Sequence, residues 1–264
     1  MTAIVLFGGG RMGSALLRGW IASGISPASI AVVEPAPSED LLAFCEEMEV
    51  AVNVPVEASA EQTLVIAVKP QKVSELSSIQ ALIRDDTLII SIMAGKTVSD
   101  LYRLFTGTRA IVRAMPNLPA AVGRGATVAY AACSPAQKLV ATRLLQCCGG
   151  LDWLSDERLI DVATGVSGSG PAYLFYLADC LAQAGVAAGL PAAVAERLAR
   201  ATVTGAGEML RQSPKTAAEL RDEVTSPGGT TQAGLRILMR DDILQDLMTG
   251  TVAAAVHRSR ELAG

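Results

Sequence analysis

The sequence predicts an α/β protein in which an N-terminal doubly wound sheet is followed by an all-helical C-terminal domain. Short apolar runs alternate with helical patterns through the first half of the chain, which is typical of a parallel sheet with crossover helices. After about Ser155 the strand patterns stop, and from Pro171 onward an Ala- and Leu-rich sequence keeps helical spacing. We therefore predict two domains, at residues 1–160 and 161–264.

The predicted strands are short apolar runs bounded by residues that favour turns. In chain order they are Ala3–Phe7, Ile30–Glu34, Thr63–Val68, Leu88–Ile92, Ala110–Arg113, Thr127–Ala131 and Leu151–Leu154. Helical patterns lie between several of them, at Ser14–Ser23, Asp40–Glu47 and Val98–Leu104. Because strands and helices alternate, we expect parallel strands with ligand-binding loops at their carboxyl ends.

Composition and charge exclude some classes of partner. The chain has 264 residues, of which 50% are hydrophobic and 18% charged. This is rich in apolar residues for a monomer, and it predicts that a partner subunit covers part of the surface. A formal net charge of −4 without a basic run argues against nucleic acid and anionic membranes as partners.

The cysteines and the longest apolar segments indicate a cytoplasmic protein. The cysteines are odd in number and lack C-x-x-C spacing, which predicts reduced, buried thiols rather than disulfides or a zinc site. They are Cys45, Cys133, Cys147, Cys148 and Cys180. The first apolar run lacks a preceding charged region and is broken early by glycines, unlike a signal peptide. The stretch Ala172–Leu190 carries Asp179 and Gln183, so we predict a buried helix rather than a membrane span.

A G-x-G-x-x-G motif follows the first predicted strand and opens the next helix. It reads Gly8-Gly9-Gly10-Arg11-Met12-Gly13. In a Rossmann-like domain Gly8 would make the turn, Gly10 would let a pyrophosphate approach, and Gly13 would let the helix pack on the strand. The helix N-terminus, with Arg11 and Met12, would face the phosphates. A glycine-rich turn without function is the alternative, but the surrounding strand and helix favour dinucleotide binding.

An acid at the end of the second predicted strand bears on the choice of cofactor. Glu34 stands where a carboxylate would accept hydrogen bonds from the adenosine 2′- and 3′-hydroxyls. No Lys or Arg lies between Arg18 and Lys69, which disfavours a 2′-phosphate and indicates NADH rather than NADPH. Two alternatives stay open: Arg11 reaches a 2′-phosphate from the glycine loop, or Glu34 is only a solvated strand end.

Loops after three later strands are expected at the same edge of the sheet. They are Ala67-Val68-Lys69-Pro70, Ser91-Ile92-Met93-Ala94-Gly95 and Arg113-Ala114-Met115-Pro116-Asn117-Leu118-Pro119. Asn117 is a polar residue restricted by prolines on either side. Lys69 is as consistent with a surface charge as with a phosphate contact.

The segment Ser226-Pro227-Gly228-Gly229-Thr230-Thr231 lies between helical patterns near the end of the chain. Proline fixes φ and the glycines let the backbone turn tightly, so free N–H groups that open the next helix can face a ligand. Such a corner suits a small carboxylate, and the hydroxyls of Ser226, Thr230 and Thr231 add neutral donors and acceptors. An ordinary interhelical turn is the alternative, since the same residues are common in loops.

A second Gly- and Ser-rich segment, Gly165–Tyr173, leads into the long apolar helix. Ser169 and Pro171 are suited to start that helix. The segment lies either against a site or at a hinge between domains, and both can hold together. The single histidine, His257, occupies a helical position that we expect to face solvent rather than to act in catalysis.

Together, these motifs resemble the pyrroline-5-carboxylate reductase family, in the expected order along almost the whole chain. The segment Ser226–Thr231 is similar to the family signature, Gly165–Tyr173 to its glycine-serine turn, and Ala253–Leu262 to its C-terminal helix. The resemblance implies reduction of 1-pyrroline-5-carboxylate to L-proline, with hydride from NADH or NADPH. At Leu118 the family usually has Thr, so we assign no role to that residue.

The resemblance also implies roles for individual residues. Ser226, Gly228 and the backbone N–H groups of Gly229 and Thr230 would hold the substrate carboxylate, and Thr231 would hydrogen-bond the ring nitrogen as the catalytic residue. The later loops would line the ribose and nicotinamide through Ala67, Val68, Lys69, Pro70, Met115, Pro116 and Asn117. No metal is expected. We expect a homodimer built through the second domain, and larger rings of dimers occur in the family.

The few acid–base groups favour imine reduction, because the substrate nitrogen can itself carry the proton. The β-hydroxyacid dehydrogenases share this architecture but rely on a Lys and an Asn on the helix after their glycine turn. This chain offers Leu174 and Leu177 there. Two alternatives stay open: a reductase of another cyclic imine or of a hydroxy acid, and a non-catalytic nucleotide-sensing module.

Overall fold

The computed structural model describes residues 3–263 and divides into two compact units. The first unit runs to Ser169 and includes the C-terminal residues from Ala254 onward, and the second unit is Gly170–Ala253. The domain boundary predicted between residues 160 and 161 stays a prediction. The division into compact units falls later, after Ser169, and it assigns the end of the chain to the first unit.

The first unit is built on one sheet of eight strands. They are β1 Ile4–Phe7, β2 Ile30–Val33, β3 Ala51–Val52, β4 Thr63–Ile66, β5 Leu88–Ser91, β6 Ala110–Met115, β7 Gly125–Ala132 and β8 Gly149–Trp153. Their order across the sheet is β3-β2-β1-β4-β5-β6-β7-β8, and only β6 and β7 pair antiparallel. The order reverses between β1 and β4, which confirms the predicted doubly wound sheet and sets its ligand-binding edge.

The helices cover both faces of this sheet and make up most of the second unit. In the first unit they are α1 Arg11–Ala22, α2 Glu39–Glu47, α3 Val98–Leu104, α4 Pro135–Gln146 and α5 Leu159–Ala163, and in the second unit α6 Gly170–Ala187, α7 Ala192–Gln212, α8 Ala217–Glu223 and α9 Thr230–Leu238. Helix α10, Ile243–Ala263, begins in the second unit and ends in the first. Short 3₁₀ segments lie at Pro27–Ser29, Pro70–Leu82, Leu118–Val122 and Arg240–Asp242, and α5 continues into a π-helical turn at Thr164–Gly168.

Two features of the sheet differ from the sequence prediction. Strand β3 was not predicted, because its two residues are too few to produce a recognisable pattern. Strand β7 runs antiparallel, whereas the alternation of elements predicted parallel pairing. Only residues 116–124, which include the 3₁₀ turn Leu118–Val122, separate β6 from β7, and a parallel connection would need a crossover of about a dozen residues or more.

Two hydrophobic clusters pack against the sheet and hold its carboxyl edge in place. On one face, Trp20 of α1 is 1% exposed and its indole N–H donates to the carbonyl of Leu144 on α4 at 2.8 Å. On the other face, Ile79, Leu101 and Phe105 are buried. A fully buried side chain of this size stabilises the fold by roughly 1.5–3 kcal/mol, so the strand ends are rigid supports for their loops.

Helix α6 is exposed in the single chain, and the prediction of a buried helix is therefore wrong for one protomer. Phe175 and Tyr176 are 65% and 70% exposed, and none of the residues of α6 is buried. The helix is apolar around most of its circumference, so one neighbouring helix cannot cover it. An apolar face of this kind is typical of a surface that another subunit covers.

The described residues include no helix with both the length and the apolar composition that a membrane crossing requires. In the same residues, no group of three or more His, Cys, Asp or Glu side chains is placed to hold a metal ion. The cysteines are free, but only Cys45 and Cys148 are buried, so the prediction of buried thiols is wrong for the other three. Burial raises the pKa of the Cys148 thiol to about 11.

Candidate active site

The glycine turn between β1 and α1 has the geometry that its motif predicts. Gly8 has a φ of +101°, and a Cβ there would lie 2.6 Å from the carbonyl oxygen of Ala67. A Cβ on Gly13 would lie 2.0 Å from the carbonyl oxygen of Gly8, so the start of α1 packs directly on the turn. A Cβ on Gly10 would meet nothing within 4 Å. Gly10 therefore leaves open the space that a pyrophosphate needs.

A cavity of about 610 Å³ lies beside this turn. It is lined by Gly9, Gly10, Arg11, Ser14, Ala15, Arg18, Glu34, Ala36, Ser38, Asp40, Leu118 and Ala121. No side chain caps α1, and within residues 3–263 the N–H groups of Arg11 and Met12 have no hydrogen-bond partner. Uncapped N–H groups at the positive end of a helix suit a phosphate, so the cavity fits the pyrophosphate of a dinucleotide. The Met12 side chain packs on the core, which leaves only its backbone for this role.

Glu34 follows β2 and turns its carboxylate onto the glycine loop. Its Oε2 accepts a hydrogen bond from the Gly9 N–H at 2.7 Å, and its Oε1 accepts one from the Ala36 N–H at 3.1 Å. Glu34 is therefore not a freely solvated strand end. The carboxylate lines the cavity, where it would repel a 2′-phosphate and could accept a ribose hydroxyl.

Arg18 is a cavity residue that was not predicted. Its guanidinium contacts Asp40 Oδ2 at 2.8 Å and lies 4.1 Å from the centre of the Phe44 ring. The chain has no cation between Arg18 and Lys69, but Arg18 itself reaches the cavity from the second turn of α1. Asp40 pairs with Arg18 at this exposed position and compensates part of its charge. Arg11 is exposed on the same helix and keeps open the alternative of a 2′-phosphate contact.

The loop after β4 carries the predicted residues Ala67 to Pro70. The Ala67 N–H donates to the carbonyl of Phe7 at 2.7 Å, so this loop starts against the end of β1. Val68 packs on a hydrophobic cluster, and Pro70 opens the 3₁₀ segment. Lys69 is exposed, and its ammonium has no ion-pair partner in the described part of the chain. Binding by these four residues stays a prediction.

Asn117, predicted to bind the cofactor, uses its side chain inside the protein. The residue is 8% exposed. Its Nδ2 donates to the carbonyl of Ser167 at 2.9 Å, and its Oδ1 accepts from the Ala126 N–H at 2.8 Å. The amide thus joins the loop after β6 to β7 and to the π-helical turn. Its side chain is placed to position the loop rather than to contact a ligand.

Met115 ends β6 beside the π-helical turn, and Pro116 follows it. A Cβ on Gly168 would lie 3.3 Å from the Met115 Cε, so the missing side chain at Gly168 makes room for this methionine. Pro116 is buried, which leaves Met115 as the more accessible of the two. Turns of π-helix are frequent at functional sites. The division between the units also falls in this segment, so both interpretations of Gly165–Tyr173 stay open.

A buried arginine anchors the strand that leads into this loop. Arg113 on β6 is 4% exposed, and its guanidinium contacts Glu157 at 3.1 Å and Asp161 at 3.3 Å. The Ser259 hydroxyl donates to Asp161 at 3.0 Å, which ties the end of α10 to the same group. His257 is on the solvent side of that helix end with its side chain 77% exposed, as expected, 3.1 Å from Glu261.

In the second unit, the Ser-Pro-Gly-Gly turn joins α8 to α9. Within residues 3–263, the hydroxyls of Ser226, Thr230 and Thr231 make no hydrogen bond, and neither do the N–H groups of Thr230 and Thr231. No side chain caps α9 from its N-cap residue, Gly229. The turn therefore offers free donors at the positive end of a helix, as a carboxylate site requires.

The two glycines of this turn differ in their surroundings. The Gly229 N–H, predicted to hold the carboxylate, donates to the Ser226 carbonyl at 3.0 Å and is not free. The backbone that requires glycine is at Gly228, whose φ is +72°. Gly229 is limited by space instead, because a Cβ there would lie 2.8 Å from the Ser226 Oγ.

Gln232 closes the turn and was not predicted. Its Oε1 accepts from the Gly228 N–H at 2.9 Å, so a side chain from the first turn of α9 fixes the glycine. This contact differs from a capping box, because the N-cap residue Gly229 has no side chain and Gln232 bonds the residue before it.

In the first unit, the glycine turn of the doubly wound sheet opens onto the cavity beside α1. This combination of fold and site is typical of a dinucleotide-dependent oxidoreductase. Residues 3–95 match the family model "NADP oxidoreductase coenzyme F420-dependent", and residues 157–262 match "pyrroline-5-carboxylate reductase dimerisation". A pyrroline-5-carboxylate reductase from Pisum sativum is 39% identical, over 97% of this chain and 94% of its own length. The chain therefore belongs to the pyrroline-5-carboxylate reductase family, as its motifs predicted.

Solved structures agree with this assignment. A pyrroline-5-carboxylate reductase from Coxiella burnetii superposes with a TM-score of 0.88 at 33% identity, covering 100% of this chain and 99% of that one. A pyrroline carboxylate reductase from Plasmodium falciparum, solved with NADP bound, gives a TM-score of 0.79 at 27% identity, covering 100% and 98%. The chain is thus an NAD(P)H-dependent reductase.

Proposed function

We propose that the protein reduces 1-pyrroline-5-carboxylate to L-proline and takes hydride from NADH in preference to NADPH. The observation that carries the choice of substrate is the turn from Ser226 to Thr231. Its uncapped helix start and free hydroxyls fit a small carboxylate next to a polar ring atom. The preference for NADH is supported by Glu34 in the cavity and by the pairing of Arg18 with Asp40.

The residues of the turn would bind and orient the substrate. The Ser226 hydroxyl and the N–H group of Thr230 would hold the carboxylate, and the Thr231 hydroxyl would hydrogen-bond the ring nitrogen. When bound, the reduced cofactor supplies a hydride to the C=N carbon. The nitrogen takes or carries the proton and becomes the amine of proline, so the reaction requires orientation rather than a strong general base.

A steady-state assay with a panel of substrates tests this function. Turnover of 1-pyrroline-5-carboxylate is expected to exceed that of another cyclic imine and of a 2-hydroxy acid with either reduced cofactor. Faster turnover of another panel member would favour the related reductase instead. Binding of NADH without turnover of any imine would favour a nucleotide-sensing module.

Glu34→Ser is expected to narrow or reverse the preference for NADH. Removing the carboxylate takes away a repulsion on the 2′-phosphate, worth about 1–2 kcal/mol of discrimination. The ratio of kcat/KM for the two cofactors measures the effect. A wild-type protein that is at least about tenfold better with NADPH would show that Arg11 or Ser38 governs the choice.

Alanine substitutions at Gly228 and Gly229 are expected to have different effects, one on stability and the other on substrate binding. Gly228→Ala places a side chain in a left-handed backbone and should cost about 1–2 kcal/mol of stability. Gly229→Ala should displace the Ser226 hydroxyl and raise KM for the imino acid while the melting temperature stays near that of wild type. An unchanged KM in Gly229→Ala would remove Ser226 from the carboxylate site.

We also propose a cytoplasmic homodimer assembled through the helical domain, with larger rings of dimers as a further proposal. The exposed face of α6, with Phe175 and Tyr176, and the match to a dimerisation family support the dimer. Light scattering at micromolar concentration should give at least twice the mass of one chain. A stable, active monomer would contradict the dimer.

The proposed cytoplasmic location is supported by the free thiols, which favour a reducing compartment.

A further inference from the structure

Asn53 extends the shortest strand of the sheet with its side chain. Strand β3 ends at Val52, which pairs with Val32 of β2, and the Asn53 N–H donates to the Val32 carbonyl at 2.8 Å. Beyond that point the Asn53 carboxamide makes the hydrogen bonds to β2 that a backbone would make in a longer strand. Its Oδ1 accepts from the Glu34 N–H at 2.9 Å, and its Nδ2 donates to the Glu34 carbonyl at 2.8 Å. One side chain thus satisfies both backbone groups of Glu34.

The backbone of Asn53 is adapted to this contact. Its φ is +52°, a left-handed conformation that asparagine tolerates better than most residues other than glycine. Asn53 is the residue directly after β3. The short amide is then placed beside the end of β2, where a longer strand would have continued the ladder.

Fixing the backbone of Glu34 also fixes its carboxylate. The carboxylate bridges the N–H groups of Gly9 and Ala36, and a Cβ on Gly9 would lie 3.3 Å from the Cβ and Cγ of Glu34. The side chain is therefore held over the glycine turn at the wall of the dinucleotide cavity. If its backbone moved, the carboxylate would leave this position.

We propose that Asn53 is a positioning residue for cofactor choice: it holds Glu34 where the carboxylate accepts a ribose hydroxyl and repels a 2′-phosphate. The proposal rests on the dinucleotide site of the proposed function, but it does not depend on the substrate. Asn53 acts through Glu34, so its effect on selectivity must disappear when the carboxylate is removed.

A double-mutant cycle measured by calorimetry tests this coupling. Dissociation constants for NADH and NADPH are measured on the full-length protein without substrate, for wild type, Asn53→Gly, Glu34→Ser and the double variant. Glycine keeps the left-handed backbone and deletes both hydrogen bonds. Asn53→Gly should shift the ratio of the constants toward NADPH by about 3- to 10-fold in the presence of Glu34, and by less than about twofold in the Glu34→Ser background.

Glu49→Gly is the matched control, because Glu49 also has a left-handed backbone, with a φ of +57°, and precedes β3. The ratio of the dissociation constants for NADH and NADPH in Glu49→Gly should equal that of wild type. An Asn53→Gly shift of equal size in both backgrounds, or no shift in either, would overturn the proposal. If Asn53→Gly does not fold, Asn53→Ser replaces it, since its neutral side chain is too short to reach both backbone groups of Glu34 and adds no charge beside the carboxylate. Binding without turnover keeps the result separate from failure of the proposed reaction.

Discussion

Thr231→Ala is expected to lower kcat/KM for 1-pyrroline-5-carboxylate roughly 10- to 100-fold. The substitution removes one hydrogen bond to the ring nitrogen, and this bond matters most as the imine becomes an amine. The Thr231 side chain lies in the first turn of α9, exposed and without an internal hydrogen bond. Its removal should therefore leave the fold, the dimer and cofactor affinity unchanged. Steady-state kinetics and cofactor binding together measure the effect.

Two variants serve as controls for this result. Thr231→Ser keeps the hydroxyl and should recover most of the activity. Thr230→Ala should be nearly silent, because the proposed contribution of Thr230 is its backbone N–H. A fully active Thr231→Ala beside an inactive Thr230→Ala would show that the roles within the turn are assigned wrongly, even though the family assignment would stand.

Asn117→Leu is expected to produce the second large effect, on both stability and cofactor binding. The substitution removes the hydrogen bonds to the Ser167 carbonyl and to the Ala126 N–H, both only partly buried, and each such bond is worth about 0.5–1.5 kcal/mol. The loop that begins after Met115 should lose its fixed position, so cofactor affinity should also fall. Urea unfolding and calorimetric titration with NADH measure the two effects.

The neighbouring residue provides a control for Asn117. Leu118 is 42% exposed at the edge of the cavity, and Leu118→Thr should change stability by less than about 0.5 kcal/mol. Asn117→Asp keeps the acceptor for Ala126 and should lose only part of the stability. Wild-type stability and affinity in Asn117→Leu would refute the positioning role.

Local patterns were sufficient to predict the glycine turn and the strands that flank it. Gly8, Gly10 and Gly13 lie close together in the sequence, between one strand and one helix. The geometry of the turn therefore follows from these two elements. Arg18 was missed, although Arg11, Ser14, Ala15 and Arg18 follow helical spacing and line one cavity. Applying that spacing to α1 would have found it.

Contacts between distant parts of the chain could not be predicted in the same way. The Asn117 amide bonds to Ser167, fifty residues away, and the Asn53 amide bonds to Glu34 from a two-residue strand. Neither pairing leaves a periodic pattern in the sequence. For α6, the apolar sequence predicted both a buried helix and a partner subunit, because it does not distinguish burial within a chain from burial by a partner.

Transfer of deuterium from reduced cofactor labelled at C4 of the nicotinamide tests the central claim most directly. The protein is incubated with 1-pyrroline-5-carboxylate and NADH that carries deuterium at both C4 positions, and the product is analysed by mass spectrometry and NMR. Hydride addition to the C=N carbon predicts L-proline with one deuterium, located on the carbon that was double-bonded to nitrogen. Unlabelled proline, deuterium on another carbon, or no proline at all would contradict the proposed reaction.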